Sequence, residues 1–226
     1  FSRPDTQSAA SYLDRAGEIH ARLRDESSEE FIHLRNMYGV LARMEGDEAR
    51  SMQYFNAVLQ DAAPNTAGYA HALQNIGILH FNARRYAEAL PYFERALKVR
   101  SDILPPGDDS CMNTMGWISY CHLYMQDYDA AEKALELSDE LYQVVKDKET
   151  YAGILHNRAS IYHLKGRYEE ALAAYSEAVD IYERYLHVRM AKNSYITVLN
   201  GMGKTYAAIG EFAKAQDAYS KVEEFR

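Results

Sequence analysis

Long apolar runs are missing from this chain. No stretch approaches the roughly 20 residues of a membrane-spanning helix, and the first residues lack the basic, apolar and small-residue regions of a secretory leader. Cysteine is nearly absent: Cys111 and Cys121 stand ten apart, outside any paired motif, and no Asn-x-Ser/Thr acceptor occurs. A disulfide framework is thereby excluded, and a reducing, cytoplasmic setting is the expectation. Positive charge is in deficit, 25 Lys+Arg against 33 Asp+Glu for a net charge of −8. That balance argues against a phosphate-backbone binder, so neither nucleic acid nor a membrane is the expected partner.

Catalytic motifs are missing too. There is no His-Glu-x-x-His, no Gly-x-Ser-x-Gly and no paired-cysteine motif, so no enzyme activity, cofactor or metal is expected. Gly201-Met202-Gly203-Lys204-Thr205 imitates the end of a phosphate-binding loop, but the loop's first glycine would fall at Val198 and the segment has a helical pattern. Acidic pairs such as Glu169-Glu170 and Glu223-Glu224 read as solvated helix surface.

What the chain does contain is a repeat. With 226 residues, 47% hydrophobic and 26% charged, it is long enough for a continuous core. A small residue, a large apolar or aromatic one four later, and a small or β-branched one three later recur six times. The sets are Ala9, Leu13, Ala16; Ser51, Phe55, Val58; Ala89, Phe93, Ala96; Ala131, Leu135, Ser138; Ala171, Tyr175, Ala178; and Ala215, Tyr219, Val222, at spacings of 38 to 44. Each set after the first follows a turn: Gly46-Asp47-Glu48, Arg84-Arg85-Tyr86, Gln126-Asp127-Tyr128, Gly166-Arg167-Tyr168 and Gly210-Glu211-Phe212. The i, i+4, i+7 spacing puts the set on one helix face, where small residues let a neighbouring helix approach. The turn ends one helix and starts the next. Loops at Ala62-Ala63-Pro64-Asn65 and Leu104-Pro105-Pro106-Gly107-Asp108-Asp109, and polar junctions at Lys146-Asp147-Lys148 and Lys192-Asn193-Ser194, separate the hairpins. An all-α chain of stacked hairpins is therefore predicted, because no hairpin buries its apolar face alone.

The units resemble the tetratricopeptide repeat. Ile76-Gly77, Gly203-Lys204-Thr205-Tyr206 and Ala89-Leu90-Pro91-Tyr92-Phe93 match its motif best, and the likeness runs from residue 9 to 222. The spacings exceed the family's usual 34, which is similar to the extended form in kinesin light chains, some immune-type receptors and bacterial peptide-pheromone receptors. Residues 87–104, with Pro91 and the proline-rich linker after them, look like kinesin-light-chain repeats in particular. The pattern is departed from at Arg35 and Arg158, where the family has apolar residues, and at Ala42, His80 and His122, where it has Tyr. The resemblance implies an α-solenoid, a right-handed superhelix forming one domain over 1–226. Its parts would be the second helix of a truncated repeat at about 8–24 and repeats at about 32–60, 70–100, 112–145, 152–186 and 196–226. The unmatched first helix and the absence of an initiating Met lead us to expect a fragment of a longer protein.

The resemblance further implies that the first helix of each hairpin lines a concave groove. Carrying over the family's groove positions selects thirty residues. Those expected to contact a peptide are Asn36; His71, Asn75, Ile78 and Asn82; Asn113, Trp117, Tyr120 and Tyr124; His156, Asn157, Ser160 and His163; and Asn200 and Lys204. None of the thirty is acidic, whereas about four would be by proportion. Six of the nine Asn fall among them. A carboxamide donates and accepts, so a file of Asn can hold the C=O and N–H of an extended backbone. The alternative is that these Asn are solvated or bridge to the next repeat. Trp117, Tyr120 and Tyr124 form a stripe, with Ile78 and Phe81 on the repeat before, that is either a pocket or core packing. His156 and His163, two turns apart, would give a pH-sensitive attraction for acidic ligands or plain hydrogen bonds.

The expected function is a protein–protein interaction module, the scaffold or adaptor part of a larger protein, holding an extended, neutral or acidic peptide or disordered segment. Two alternatives use the same repeat physics. One is the ligand-binding half of a peptide-pheromone-type regulator whose output domain is missing here. The other is structural, assembly or self-association through the solenoid ends or the convex face.

Overall fold

The computed structural model describes residues 28–105, 108–145, 148–187 and 189–225. The truncated-repeat helix expected at about 8–24 lies outside them. Ten α-helices and no strand occur among the described residues: α1 Glu29–Glu45, α2 Glu48–Asp61, α3 Ala67–Asn82, α4 Tyr86–Ile103, α5 Asp109–Tyr124, α6 Tyr128–Val145, α7 Lys148–Leu164, α8 Tyr168–Glu183, α9 Arg189–Ala208 and α10 Phe212–Glu224. Contacts divide the chain into two compact units, the first ending at Pro105 and the second formed by the remainder.

Each helix pair closes through the same turn. A residue one or two past the end of the first helix adopts a left-handed conformation in all five: Gly46 (φ 84°), Arg84 (59°), Gln126 (65°), Gly166 (75°) and Gly210 (82°). Two backbone bonds accompany it each time, as in Gly46 N–H to Arg43 O (3.1 Å) and Asp47 N–H to Ala42 O (2.9 Å), or Gly166 to His163 (3.0 Å) and Arg167 to Tyr162 (2.8 Å). This paired arrangement satisfies the carbonyls a helix end would leave bare. Three first helices begin on side-chain caps, from Ser28 to Phe31 N–H (3.2 Å), Thr66 to Tyr69 N–H (3.3 Å) and Asp108 to Ser110 N–H (2.8 Å).

The repeated small and large residues form the cores. Phe55 and Phe93 are fully buried, and Ser51, Ala89, Ala96, Ala131, Leu135, Ala171 and Ala178 are equally inaccessible. The large residue of the second helix lies on a glycine of the first: a Cβ at Gly39, Gly77 or Gly203 would sit 2.5–2.8 Å from the ring of Phe55, Phe93 or Tyr219. In the first unit α1 packs on α3 and α2 on α3; in the second, α5 packs on α7 and α7 on α9, so the first helices lie side by side.

The departures from the repeat pattern have local causes. Arg35 pairs with Asp61 and stacks 4.4 Å from the Phe31 ring. Arg158 reaches back to Leu135 O (3.3 Å), tying α7 to α6. His80 stacks on Tyr92 at 5.4 Å. At the turn after α7, Glu132 of α6 accepts from Lys165 and Arg167, both at 2.8 Å.

Candidate functional site

The second unit carries two neighbouring clefts on the face made by α5, α7 and α9. The first, about 390 Å³, is lined from α5 by Met112, Asn113, Gly116, Trp117 and Tyr120 and from α7 by Glu149, Thr150, Gly153, Ile154 and Asn157, with Tyr182 and Ser194. The second, about 630 Å³, is lined by Tyr120, Tyr124, His156, Ser160, His163, Asn200 and Lys204, with Leu123, Leu164, Tyr175, Thr197 and Gly201. Tyr120 belongs to both. The structure therefore brings together ten of the expected site residues in one unit: Asn113, Trp117, Tyr120, Tyr124, His156, Asn157, Ser160, His163, Asn200 and Lys204.

The aromatic stripe is exposed in a graded way, with Tyr120 packed against the core of the second unit. Trp117 and Tyr120 are half-buried with ring centroids 6.0 Å apart, and Tyr124 is 55% exposed, 6.5 Å from Tyr120. The Tyr120 hydroxyl meets His156 Nδ1 at 3.1 Å, and burial first, then neighbouring tyrosines, raises its pKa. Ile78 and Phe81 belong to the first unit; Ile78 is buried there, and Phe81 packs edge-on to Tyr86 at 5.1 Å.

The histidines are wired into the wall. His163 Nδ1 lies 2.9 Å from Thr205 Oγ1. Ser160 Oγ donates to His156 O (2.9 Å) and lies 3.2 Å from the Tyr175 hydroxyl. Burial holds both imidazoles below the ordinary histidine value, and the Lys204 charge adds to this at His163. At pH 7 they are therefore neutral hydrogen-bond groups. Among the described residues lining the second cleft, Lys204 is the one that is charged.

The six Asn are divided. Asn36 and Asn157 are each 3% exposed and donate from Nδ2 to the neighbouring repeat, to Gly68 O (3.0 Å) and Gly116 O (3.3 Å). Asn75 and Asn200 donate within their own helices, to His71 O and Ile196 O, both at 3.0 Å. Asn82 and Asn113 are exposed. For Asn36 and Asn157 the bridging geometry is thus in place. His71 sits on the exposed side of α3, in the first unit with Asn36, Asn75 and Asn82.

Sequence reasoning missed part of the first cleft. Glu149 enters its wall although the expected groove was free of acid, because α7 begins at Lys148, ahead of the expected start at 152. Ser194 joins because α9 begins at Arg189 rather than near 196. Tyr182 comes from the second helix of its hairpin, which the repeat pattern assigns to the outside. The junction residues Lys148 and Ser194 were the only signal, since neither breaks a helix. The glycines of the phosphate-loop imitation also find their cause here: a Cβ at Gly201 would meet the Tyr175 hydroxyl and at Gly203 the Tyr219 ring, both at 2.5 Å.

Among the described residues no group of three His, Cys, Asp or Glu is placed to hold a metal, and no helix is long and apolar enough to cross a membrane.

Comparison with known proteins agrees with this architecture. Two family profiles, both described as tetratricopeptide repeat, match residues 70–108 and 110–184, together just over half of the chain. Superkiller complex protein 3 of Mus musculus is 27% identical over 167 residues, 74% of this chain but 9% of that protein's length. Among solved structures, BtubC (BKLC) from P. vanneervenii superposes with a TM-score of 0.76 at 16% identity, covering 98% of this chain and 89% of that one. A candidate kinesin light chain from Podosopora anserina with nearly identical repeats gives 0.65 at 13% identity, over 86% of this chain and 94% of its own. At these identities the likeness is one of fold.

Proposed function

Since the chain belongs to the tetratricopeptide-repeat family, we propose that it is a protein–protein interaction module whose second unit holds an extended peptide or disordered segment of a partner. The observation that carries this reading is the pair of adjoining clefts on α5, α7 and α9, joined at Tyr120 and edged by accessible aromatic and polar side chains. Such a surface offers apolar anchoring to Trp117 and Tyr124 and donors and acceptors to a peptide backbone. Lys204, with His163 beside it, suits an acidic group on the ligand at the second cleft, which is where a neutral or acidic segment is read. Asn82 and His71 are the accessible candidates on the first unit, and Asn36 and Asn75 serve it by fixing the helices.

The energy is a sum of small terms, about 1 kcal/mol for each backbone hydrogen bond and about 1–3 for each filled pocket. Affinity in the micromolar range, near −8 kcal/mol, follows for a handful of them. Trp117, the only tryptophan, reports on the site directly. Titration with a pool of short neutral and acidic peptides should give a saturable change in its fluorescence, and Lys204→Glu should weaken binding of the acidic members at least about tenfold. Silence across the pool refutes the groove.

One observation favours assembly as a second reading. Phe212 is 71% exposed and Ile209 42%, one on each side of the turn between α9 and α10. Sedimentation of the wild type against Phe212→Asp tests it: mass that rises with concentration and falls in the variant supports self-association.

A further inference from the structure

The second cleft is walled by polar side chains whose hydrogens are already committed. Ser160 Oγ donates to His156 O (2.9 Å), Thr197 Oγ1 to Asn193 O (3.0 Å) and Asn200 Nδ2 to Ile196 O (3.0 Å), each about one turn back along its own helix. With its single hydrogen spent, Ser160 can only accept at its 3.2 Å contact with the Tyr175 hydroxyl, so Tyr175 is the donor there. What Ser160, Thr197 and the Asn200 carbonyl still offer a ligand is lone pairs.

His163 follows the same rule, and in its case the rule fixes a tautomer. Thr205 is fully buried, and its Oγ1 lies 2.9 Å from both Gly201 O and His163 Nδ1. A carbonyl only accepts, so the one Thr205 hydrogen goes to Gly201 O, and Oγ1 receives a hydrogen from Nδ1; the opposite assignment would give up the carbonyl bond. A neutral imidazole carries one N–H, so with Nδ1 protonated the Nε2 atom is an acceptor. Burial, and then the Lys204 charge, keeps the ring neutral at pH 7. The Tyr168 ring packs edge-on to it at 5.5 Å, and among the described residues nothing hydrogen-bonds to Nε2.

Lys204 precedes Thr205 in the chain and lines the same cleft as His163, and among the described residues no acidic side chain lines that cleft with it. An oxyanion alone would set its lone pairs against those of His163, Ser160 and Thr197. The wall is complemented by an oxyanion for Lys204 with an N–H donor close by for His163, which an acidic residue of a peptide supplies with its side chain and a neighbouring backbone amide.

We infer that His163 sets the specificity of the second cleft: its Nε2 accepts a backbone N–H of the bound segment while Lys204 holds the carboxylate of the acidic residue beside that amide. This rests on the groove reading above and gives His163 a role separate from the charge of Lys204.

Two measurements on the whole chain test it. Nitrogen NMR of the His163 ring at pH 7, assigned by its loss in His163→Phe, should show the proton on Nδ1 and none on Nε2; a proton on Nε2 overturns the inference whatever the peptides do. Calorimetry then compares blocked nine-residue peptides of one neutral sequence with Glu or Gln at the centre, and the Glu peptide N-methylated at one amide at a time. Blocking the ends leaves the side chain as the one carboxylate. Glu should bind at least about tenfold more tightly than Gln, and a methyl on one amide at or next to the Glu should cost at least about tenfold. His163→Phe keeps a ring in place and removes the acceptor, so that methyl penalty should fall to about threefold or less while the Glu preference survives; Lys204→Met should do the reverse. If His163→Phe does not fold, Thr205→Val, which frees the ring to carry its proton on Nε2, replaces it. No penalty at any amide, or one that His163→Phe leaves unchanged, overturns the inference and leaves the groove standing. Silence from every peptide overturns both.

Discussion

Replacing Gly77 and Gly116 by alanine should move stability in opposite directions, although both sit inside first helices and the chemical change is identical. At Gly77 the new methyl would lie 2.8, 2.9 and 3.0 Å from three atoms of the Phe93 ring, which is fully buried between α3 and α4. Neither helix can retreat without opening the hairpin core, and overpacking of this kind costs about 1–3 kcal/mol. Alanine's helix preference returns about 1, so the net loss is up to about 2 kcal/mol. At Gly116 the methyl meets, among the described residues, only Asn157 Nδ2 at 3.5 Å, so the preference is gained without strain and the variant should gain up to about 1 kcal/mol. The difference between the two is about 1–3 kcal/mol. Urea unfolding followed by circular dichroism measures it, with Trp117 fluorescence as a separate report on the second unit, because repeat units need not unfold in one step. Phe93→Leu in the Gly77→Ala background should recover part of the loss, which isolates the ring as its cause. If the two alanines shift the midpoint the same way, the assignment of packing glycines and cleft glycines is wrong.

Two further outcomes follow from the turns and the ion pairs. Arg84→Gly and Gln126→Gly should each stabilise by about 0.5–1 kcal/mol in thermal unfolding, since both residues hold the left-handed conformation that glycine takes in the other three turns. Burial pushes the Glu132 carboxyl up, but hydrogen bonds from Lys165 and Arg167 outweigh it and hold it below its usual value of 4.5. A carboxyl depressed in the fold contributes stability that is present above 4.5 and lost as pH falls through the folded value. Glu132→Gln should therefore be less stable at pH 7 by about 1 kcal/mol or less, and the gap should close on acidification below 4.5.

The hairpins and the residues that pack them were legible because their signals are local. A 3.6-residue period, a small-large-small face and a turn that ends each helix are all written within a few residues. They led to the five hairpins and to Phe55, Phe93 and Leu135 at the centres. The same pattern carried over to Trp117, Tyr120, His156, Asn157, Ser160 and His163 as neighbours, since residues at fixed offsets on adjacent first helices must line one face.

Tertiary structure decided what those residues do. Asn36 and Asn157 are identical in sequence context to solvated or ligand-holding Asn, and only the approach of Gly68 and Gly116 carbonyls turned their amide groups into bridges between repeats. The six candidate Asn read as one file; burial separates Asn82 and Asn113 from the rest, because exposure depends on how far the neighbouring helix extends. Glu149, Tyr182 and Ser194 entered the first cleft through helix starts and helix packing that no local period encodes. The sequence by itself determined helices, turns and the face they share, which depend on neighbours along the chain. Which glycines are packed and which are open depends on atoms forty residues away and exists only once the hairpins have stacked.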